Sequence, residues 1–238
     1  MTDTNKAYLQ LHIAVFLWGF TAILGALIEL PALSLVWWRV LLTSLSLVFF
    51  VQVGKLFRGG MPVKNLLQFA FVGVLTGLHW LAFYGAIKLA NASISLICMA
   101  TTAFFTALVE PLILRTRIKK HEVFLGLLIV PGMVLIVENV EVEMRAGVWV
   151  GLAAALLAAV FGTLNKKWVN NAEPFPITFV EMASAWLFLS LAMPFYLHAE
   201  PSAKLLPGGS DFLLLIVLAL LCTTFTWWLA LRSLKHLS

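Results

Sequence analysis

Apolar residues run along this chain in long stretches that carry hardly a charge, and short polar breakers separate them. A hydrocarbon slab about 30 Å thick needs roughly 20 apolar residues per helical crossing, so each stretch reads as a transmembrane helix. The pattern predicts helices at 8–28, 33–54, 65–87, 93–114, 120–138, 147–166, 175–195 and 212–231. The breakers are Glu29-Leu30-Pro31, Gly59-Gly60-Met61-Pro62, Asn91, Arg115 to Lys120, Glu138 to Arg145, Asn170 to Pro176 and Glu200 to Asp211. None is long enough to hold a soluble domain. The expectation is an all-α integral membrane protein of about eight transmembrane helices.

Composition agrees with the pattern. Of 238 residues 62% are hydrophobic and 11% charged, against about 45–50% and roughly 25% in an ordinary soluble domain. The net charge of +5 does not point to nucleic acid, because Lys and Arg sit between apolar segments and do not cluster on a soluble face. They report topology instead. With the N-terminus cytoplasmic, one side holds Lys6, Lys55, Arg58, Lys64, Arg115, Arg117, Lys119, Lys120, Lys166, Lys167, Arg232 and Lys235, against Lys88, Arg145 and Lys204 opposite. The first apolar run is too long for a signal-peptide core and lacks a small-residue cleavage site, so it is expected to stay as the first helix. Cys98 and Cys222 fall inside apolar runs, where thiols behave as small hydrophobes and imply no disulfide framework.

An internal repeat organises the helices. Trp18-Gly19 resembles Phe161-Gly162 at an offset of 143, and Arg39, after Pro31, matches Glu181, after Pro174 and Pro176, at 142. The segment from Ile87 to Ser93 aligns with Arg232 to Ser238 at 145. A unit of this length contains five helices, so the second copy enters the membrane from the opposite side and the repeat is inverted. Residues 1–143 form the first repeat, and 144–238 a second with three helices only. By that symmetry the chain reads as a ten-helix protein without its last two helices, which would need about 45–50 further residues; a natural eight-helix protein is the alternative.

The combination of Trp18-Gly19, Pro31 followed by Arg39, His79-Trp80, Phe83 to Ile87 with Ala90 and Ser93, the basic segment Arg115 to Lys120, and Gly126 and Gly132 resembles the drug/metabolite transporter superfamily, in particular its EamA-like permeases. The resemblance covers the whole chain and implies two five-helix repeats of opposite orientation, with no cofactor. Two departures stand out. The last two helices, which would help wall the cavity in the family, have no counterpart. The fourth helix has Thr101-Thr102-Ala103 where many members carry a central proline, with Pro111 further on.

Ionisable and polar groups inside hydrocarbon are costly, so the few present are the candidates for binding solute. Arg39, about six residues into its helix and directly after Trp37-Trp38, reads either as a snorkelling cation in an aromatic belt or as a carboxylate clamp near the outer mouth. Glu181 reads either as the partner of Lys166 or Lys167, or as a cation or proton site at the inner mouth. His79, flanked by Trp80, Phe83 and Tyr84, is either a packing histidine or a titrating, solute-bonding group in a central cavity. Trp18 lines the path or packs in the core, and Gly19 lets helices approach closely. Glu110 is expected to pair with Arg115 or Arg117, while Asn165 and Lys166 are an interfacial anchor or an inner gate. The binding candidates are therefore His79, Arg39, Trp18, Trp80, Tyr84 and Glu181.

No GxGxxG, Walker loop, HExxH or CxxC is present, which leaves no ATP-driven pump and no soluble-enzyme signature within the chain. The reading is not an enzyme but a multi-pass secondary transporter of the inner (plasma) membrane. The resemblance implies export of small metabolites such as amino acids, by alternating access around a midplane site. Its partners are the solute and the lipid bilayer, with protons as a candidate coupling ion through His79 or Glu181. Monomer and homodimer both stay open. The competing classes are a non-transporting truncated scaffold and a membrane-embedded enzyme such as an acyltransferase, which would need a nucleophile or an acid–base pair that the sequence does not supply.

Overall fold

The computed structural model describes residues 2–237, and among these it is helical throughout, with turns between the helices. The principal helices are α1 (Asp3–Leu27), α2 (Ala32–Val48), α3 (Val63–Leu89), α4 (Ala92–Leu114), α5 (Lys120–Glu138), α6 (Arg145–Trp168), α7 (Pro174–Ala199) and α8 (Gly209–Leu237). Seven of them are long and apolar enough to cross a membrane; α2 is also apolar but has only 17 residues, about 25 Å at 1.5 Å per residue. It stops at Val48, six residues short of the predicted end. The apolar run overshoots because the following turn is itself packed: Val51 and Leu56 are buried and Phe50 stacks on Phe175 at 5.2 Å. Gly59, at φ +100°, closes that turn in a conformation that costs other residues dearly.

Three of the long helices are broken. α4 kinks at Thr101 without a proline, where the Thr101 N–H and Oγ1–H both donate to the Cys98 carbonyl (3.0 and 2.6 Å) and tighten the turn. α5 is interrupted at Leu128. α8 contains a π-helical segment, Leu220–Phe225, in which the hydroxyls of Thr223 and Thr224 reach back five residues to the carbonyls of Leu218 and Ala219.

Helix α3 is the axis of the bundle, packing on α6 and on α7. Small residues set both distances. Gly73 and Gly77, four apart on α3, face the backbone of Glu181 and the side chain of Ala185; a methyl group at Gly73 would lie 2.1 Å from the Glu181 carbonyl oxygen. Gly147 and Gly151 repeat the device on α6, where a methyl would come within 2.7 Å of Ala90 Cβ and 2.9 Å of Cys98 Cβ. Without a hydrophobic drive between helices in lipid, such close approach is the source of association. The outward surface stays apolar: Trp149 is 72% exposed and Phe195 78%.

Contacts between helix ends sort them into two faces. At one, Lys88 at the end of α3 donates to the Ile28 carbonyl, Asp211 at the start of α8 accepts from the Glu29 N–H (3.1 Å), Lys204 pairs with Glu29 (3.0 Å), and Trp38 near the start of α2 donates to the Leu205 carbonyl (2.8 Å). At the other, Lys166 of α6 pairs with Glu110 of α4 (2.9 Å), Lys235 of α8 with Glu173 (3.0 Å), and Asn65 of α3 meets the Asn171 carbonyl. The ends of successive helices alternate between these faces as an up-and-down bundle requires.

Candidate functional site

The partners found for the charged residues depart from the sequence reading. Glu110 pairs with Lys166 and not with Arg115 or Arg117, and Arg115 takes a left-handed conformation (φ 57°) that ends α4. Lys166 is thereby committed, and Lys167 donates to the Ile113 carbonyl, so neither neutralises Glu181. Asn165 does not close a gate but is buried, alongside Glu181.

Arg39 is not at a mouth and does not snorkel. It lies seven residues beyond Ala32, about 10 Å along α2, and its side chain is buried. Its Nε donates to Thr223 Oγ1 (2.8 Å) and one Nη1–H to the Tyr84 hydroxyl (2.9 Å), while the guanidinium lies 3.8 Å from the centroid of the Trp80 ring. Such stacking is worth roughly 0.5–2 kcal/mol. No ion pair to Arg39 forms among the described residues. The preceding tryptophans hold α2 in place instead of forming a lipid belt: the Trp37 indole donates to Ser190 Oγ (2.8 Å) and packs at a tilt on Trp186, and the Trp38 indole donates to the Leu205 carbonyl.

Glu181 lies equally deep in α7, seven residues beyond Pro174, and is fully buried. Its Oε2 accepts from the Trp227 indole N–H (2.7 Å), and its Oε1 forms no hydrogen bond.

Helices α1, α2, α3, α4, α6 and α8 line a half-open cavity of about 540 Å³, within the roughly 300–1,000 Å³ of small-molecule sites. Trp18, Arg39, His79 and Trp80 line it, together with Gly19, Thr21, Phe83, Met99, Phe161, Gly162 and Trp227. The rings form a connected wall: Trp227 lies 5.9 Å from Trp18, 5.4 Å from Trp80 and 5.7 Å from Phe161, and His79 lies 5.2 Å from Phe161. His79 Nδ1 contacts the Ala154 carbonyl (2.8 Å). A carbonyl can only accept, so Nδ1 carries a proton and donates, which leaves Nε2 as the ring nitrogen that can accept in the neutral imidazole or donate in the charged one. Trp18 donates to Thr226 Oγ1 (2.9 Å).

Two candidates do not reach the wall. Tyr84 is fully buried behind Arg39, its ring wedged against Gly25, where a methyl would sit 2.3 Å from Tyr84 Cε1; it positions the guanidinium. Glu181 stands behind Trp227. Gly19 does not bring helices together either: a methyl there, or at Gly162, would meet open space, so both glycines widen the cavity. The sequence reading missed Thr223, Thr226 and Trp227. The signal available was a run of hydroxyls and aromatics, Thr223-Thr224-Phe225-Thr226-Trp227-Trp228, inside an otherwise aliphatic segment.

A bundle of membrane-length helices around an aromatic-walled cavity defines a multi-pass membrane protein with a solute-sized site between its helices. The sequence model of the EamA-like transporter family matches residues 5–138 and 145–238. The chain belongs to that family, whose members are generally transporters and not enzymes, and the membership suggests a membrane transporter of the drug/metabolite type. No curated protein matches the chain. A solved structure titled only "Crystal structure of protein" shares the fold, at 18% identity and a TM-score of 0.67 over 98% of this chain and 80% of that one.

Proposed function

We propose that this chain is a secondary transporter that exports small metabolites, amino acids among them, by alternating access between two inverted repeats, residues 1–143 and 144–238. In this reading α2 also crosses, making eight transmembrane helices in the plasma membrane with a cytoplasmic N-terminus. The solute occupies the midplane cavity, and Arg39, His79, Trp18 and Trp80 bind it. Tyr84 orients Arg39. A proton gradient supplies the energy, with His79 and Glu181 as the groups that exchange protons.

One observation carries the reading. Trp18-Gly19 and Phe161-Gly162, which correspond at an offset of 143, both line the same cavity, as expected for a site built where two repeats meet. The supporting physics is the cost of the buried cation and carboxyl: groups so expensive in hydrocarbon are retained where solutes or ions pass. Reconstitution into proteoliposomes tests it. The expected result is counterflow of radiolabelled metabolites that an imposed proton gradient accelerates. A broad panel of amino acids, organic acids and nucleosides showing no flux above empty liposomes would refute transport.

A further inference from the structure

The charges in the cavity wall narrow the solute class. Arg39 is charged at any accessible pH, since a guanidinium is not deprotonated in proteins. The groups it touches, the Thr223 and Tyr84 hydroxyls and the Trp80 ring, are all neutral. Its Nη2 and the second Nη1–H form no hydrogen bond among the described residues, yet the side chain lines the cavity. The wall itself contains no Asp or Glu. The neighbouring carboxyl, Glu181, is fully buried and held by the far edge of Trp227, so the indole stands between it and a bound solute.

A zwitterionic solute would leave the site with a net positive charge, because its ammonium would meet no carboxylate in the wall, only aromatic faces, the hydroxyls of Thr21 and Thr102 and the His79 ring. A solute with one carboxylate and no ammonium would bring the net charge to zero and give the planar guanidinium fork its matching acceptor. Burying a neutralised pair is far less costly than burying a lone cation. Around Arg39 the remaining surface is mostly carbon: Trp18, Phe83, Phe161 and Trp227 present rings and Met99 a thioether, with the hydroxyls of Thr21 and Thr102 and the His79 ring as the polar exceptions. A cavity of about 540 Å³ accepts a body the size of one ring with a short chain.

We propose that, among the small metabolites of that reading, the preferred solute is a net-anionic organic carboxylate with an apolar, ring-sized body, and that an amino acid occupies the site less tightly. The proposal rests on the cavity being the solute site of a transporter. It is tested by calorimetric titration of the purified full chain with four ligands sharing one phenylpropyl frame: 3-phenylpropionate, 3-phenylpropan-1-ol, 3-phenylpropylamine and phenylalanine. The acid is expected to bind at least about tenfold more tightly than each of the others, the margin that hydrogen bonds to a charged group supply. In Arg39→Gln the acid and the alcohol are expected to converge to within about threefold. The ligand series on the unmodified chain stands whether or not that variant folds. Equal or tighter binding of the alcohol, amine or amino acid, or no binding of the acid, overturns the proposal. So does a folded Arg39→Gln that keeps the tenfold preference. Flux in proteoliposomes separates this failure from that of the transporter reading: transport of amino acids without carboxylate preference refutes only the solute class.

Discussion

Replacing Gly73 with Ala tests the account of what holds this bundle together. The added methyl would lie 2.1 Å from the carbonyl oxygen of Glu181 and 2.7 Å from its C and Cα atoms. All three are backbone atoms of α7, so no rotamer change relieves the clash, and α3 and α7 must separate by more than an ångström. Overpacking a core costs typically 1–3 kcal/mol when side chains can yield; against backbone the upper end applies, about 3 kcal/mol. For a chain of this size that lowers the unfolding midpoint by roughly 6–12 °C. Gly77→Ala supplies a graded comparison, since its methyl would meet the Ala185 Cβ at 3.2 Å and a small shift suffices. Gly162→Ala is the control, because it projects into open space. The assay is thermal unfolding of the purified variants in one detergent, followed by thiol-reactive dye at Cys98 and Cys222, both free and buried. The expected order of loss is Gly73→Ala, then Gly77→Ala, with Gly162→Ala near zero. A Gly73→Ala midpoint within about 1 °C of the parent would show that close approach of α3 and α7 does not stabilise the fold.

Three further outcomes are expected. Trp227→Phe keeps a ring in the cavity wall but removes the indole donor to Glu181 Oε2, costing about 1–3 kcal/mol as the buried carboxyl loses its shortest hydrogen bond and keeps only Asn165 beside it; adding Glu181→Leu should recover most of that loss, and a double variant less stable than Trp227→Phe alone would contradict the assignment. Lys204 has its pKa raised above the usual 10.5 by its hydrogen bond to Glu29, with the charges of Glu29 and Asp211 adding to it. The folded state therefore holds that proton more tightly than the unfolded, so the contribution is intact below pH 10.5 and fades as the pH rises through the raised value. The difference in unfolding midpoint between parent and Lys204→Gln should hold up to about pH 10 and shrink as the pH rises beyond the ordinary lysine value, and a constant difference would rule the pair out. Reporter tags after Lys120 and after Glu143 are expected on opposite sides of the membrane, and the same side for both would break the helix alternation.

Much of the fold is legible in the sequence because lipid imposes a one-dimensional rule. A segment either supplies enough consecutive apolar residues to cross or it does not, and the breakers at Pro31, Asn91 and Glu200 fall where helices end. The rule fails where apolarity and helicity part company. After Val48 the chain stays greasy while its backbone turns, because Phe50, Val51 and Leu56 find partners across the turn. The π segment at Leu220–Phe225 does not break the apolar run that predicts the helix, since it is accompanied by hydroxyl bonds to carbonyls five residues back and not by a charged or proline breaker.

The site was less legible, for a physical reason that Arg39 makes plain. Depth along a helix can be counted from its start, but the direction a side chain takes depends on which neighbours leave room. Arg39 follows two tryptophans and so reads as part of an interfacial belt, yet those indoles are spent on Ser190 and Leu205. The guanidinium is instead drawn inward by Tyr84 and Thr223, from helices 45 and 184 residues away in sequence. Thr223 spends its own proton on the Leu218 carbonyl inside the π segment, which leaves its lone pairs to accept from Arg39. Glu181 shows the same effect in reverse: Lys166 and Lys167 lie near it in sequence, but both point to α4, and the donor that reaches the carboxyl is Trp227. Charges close in sequence are thus poor guides to pairing inside a bundle, where a side chain bonds to whichever helix packs against it. The two groups costliest to bury have both been given neutral hydrogen-bonding partners in place of opposite charges. For Arg39 that arrangement leaves its charge to be met by what enters the cavity.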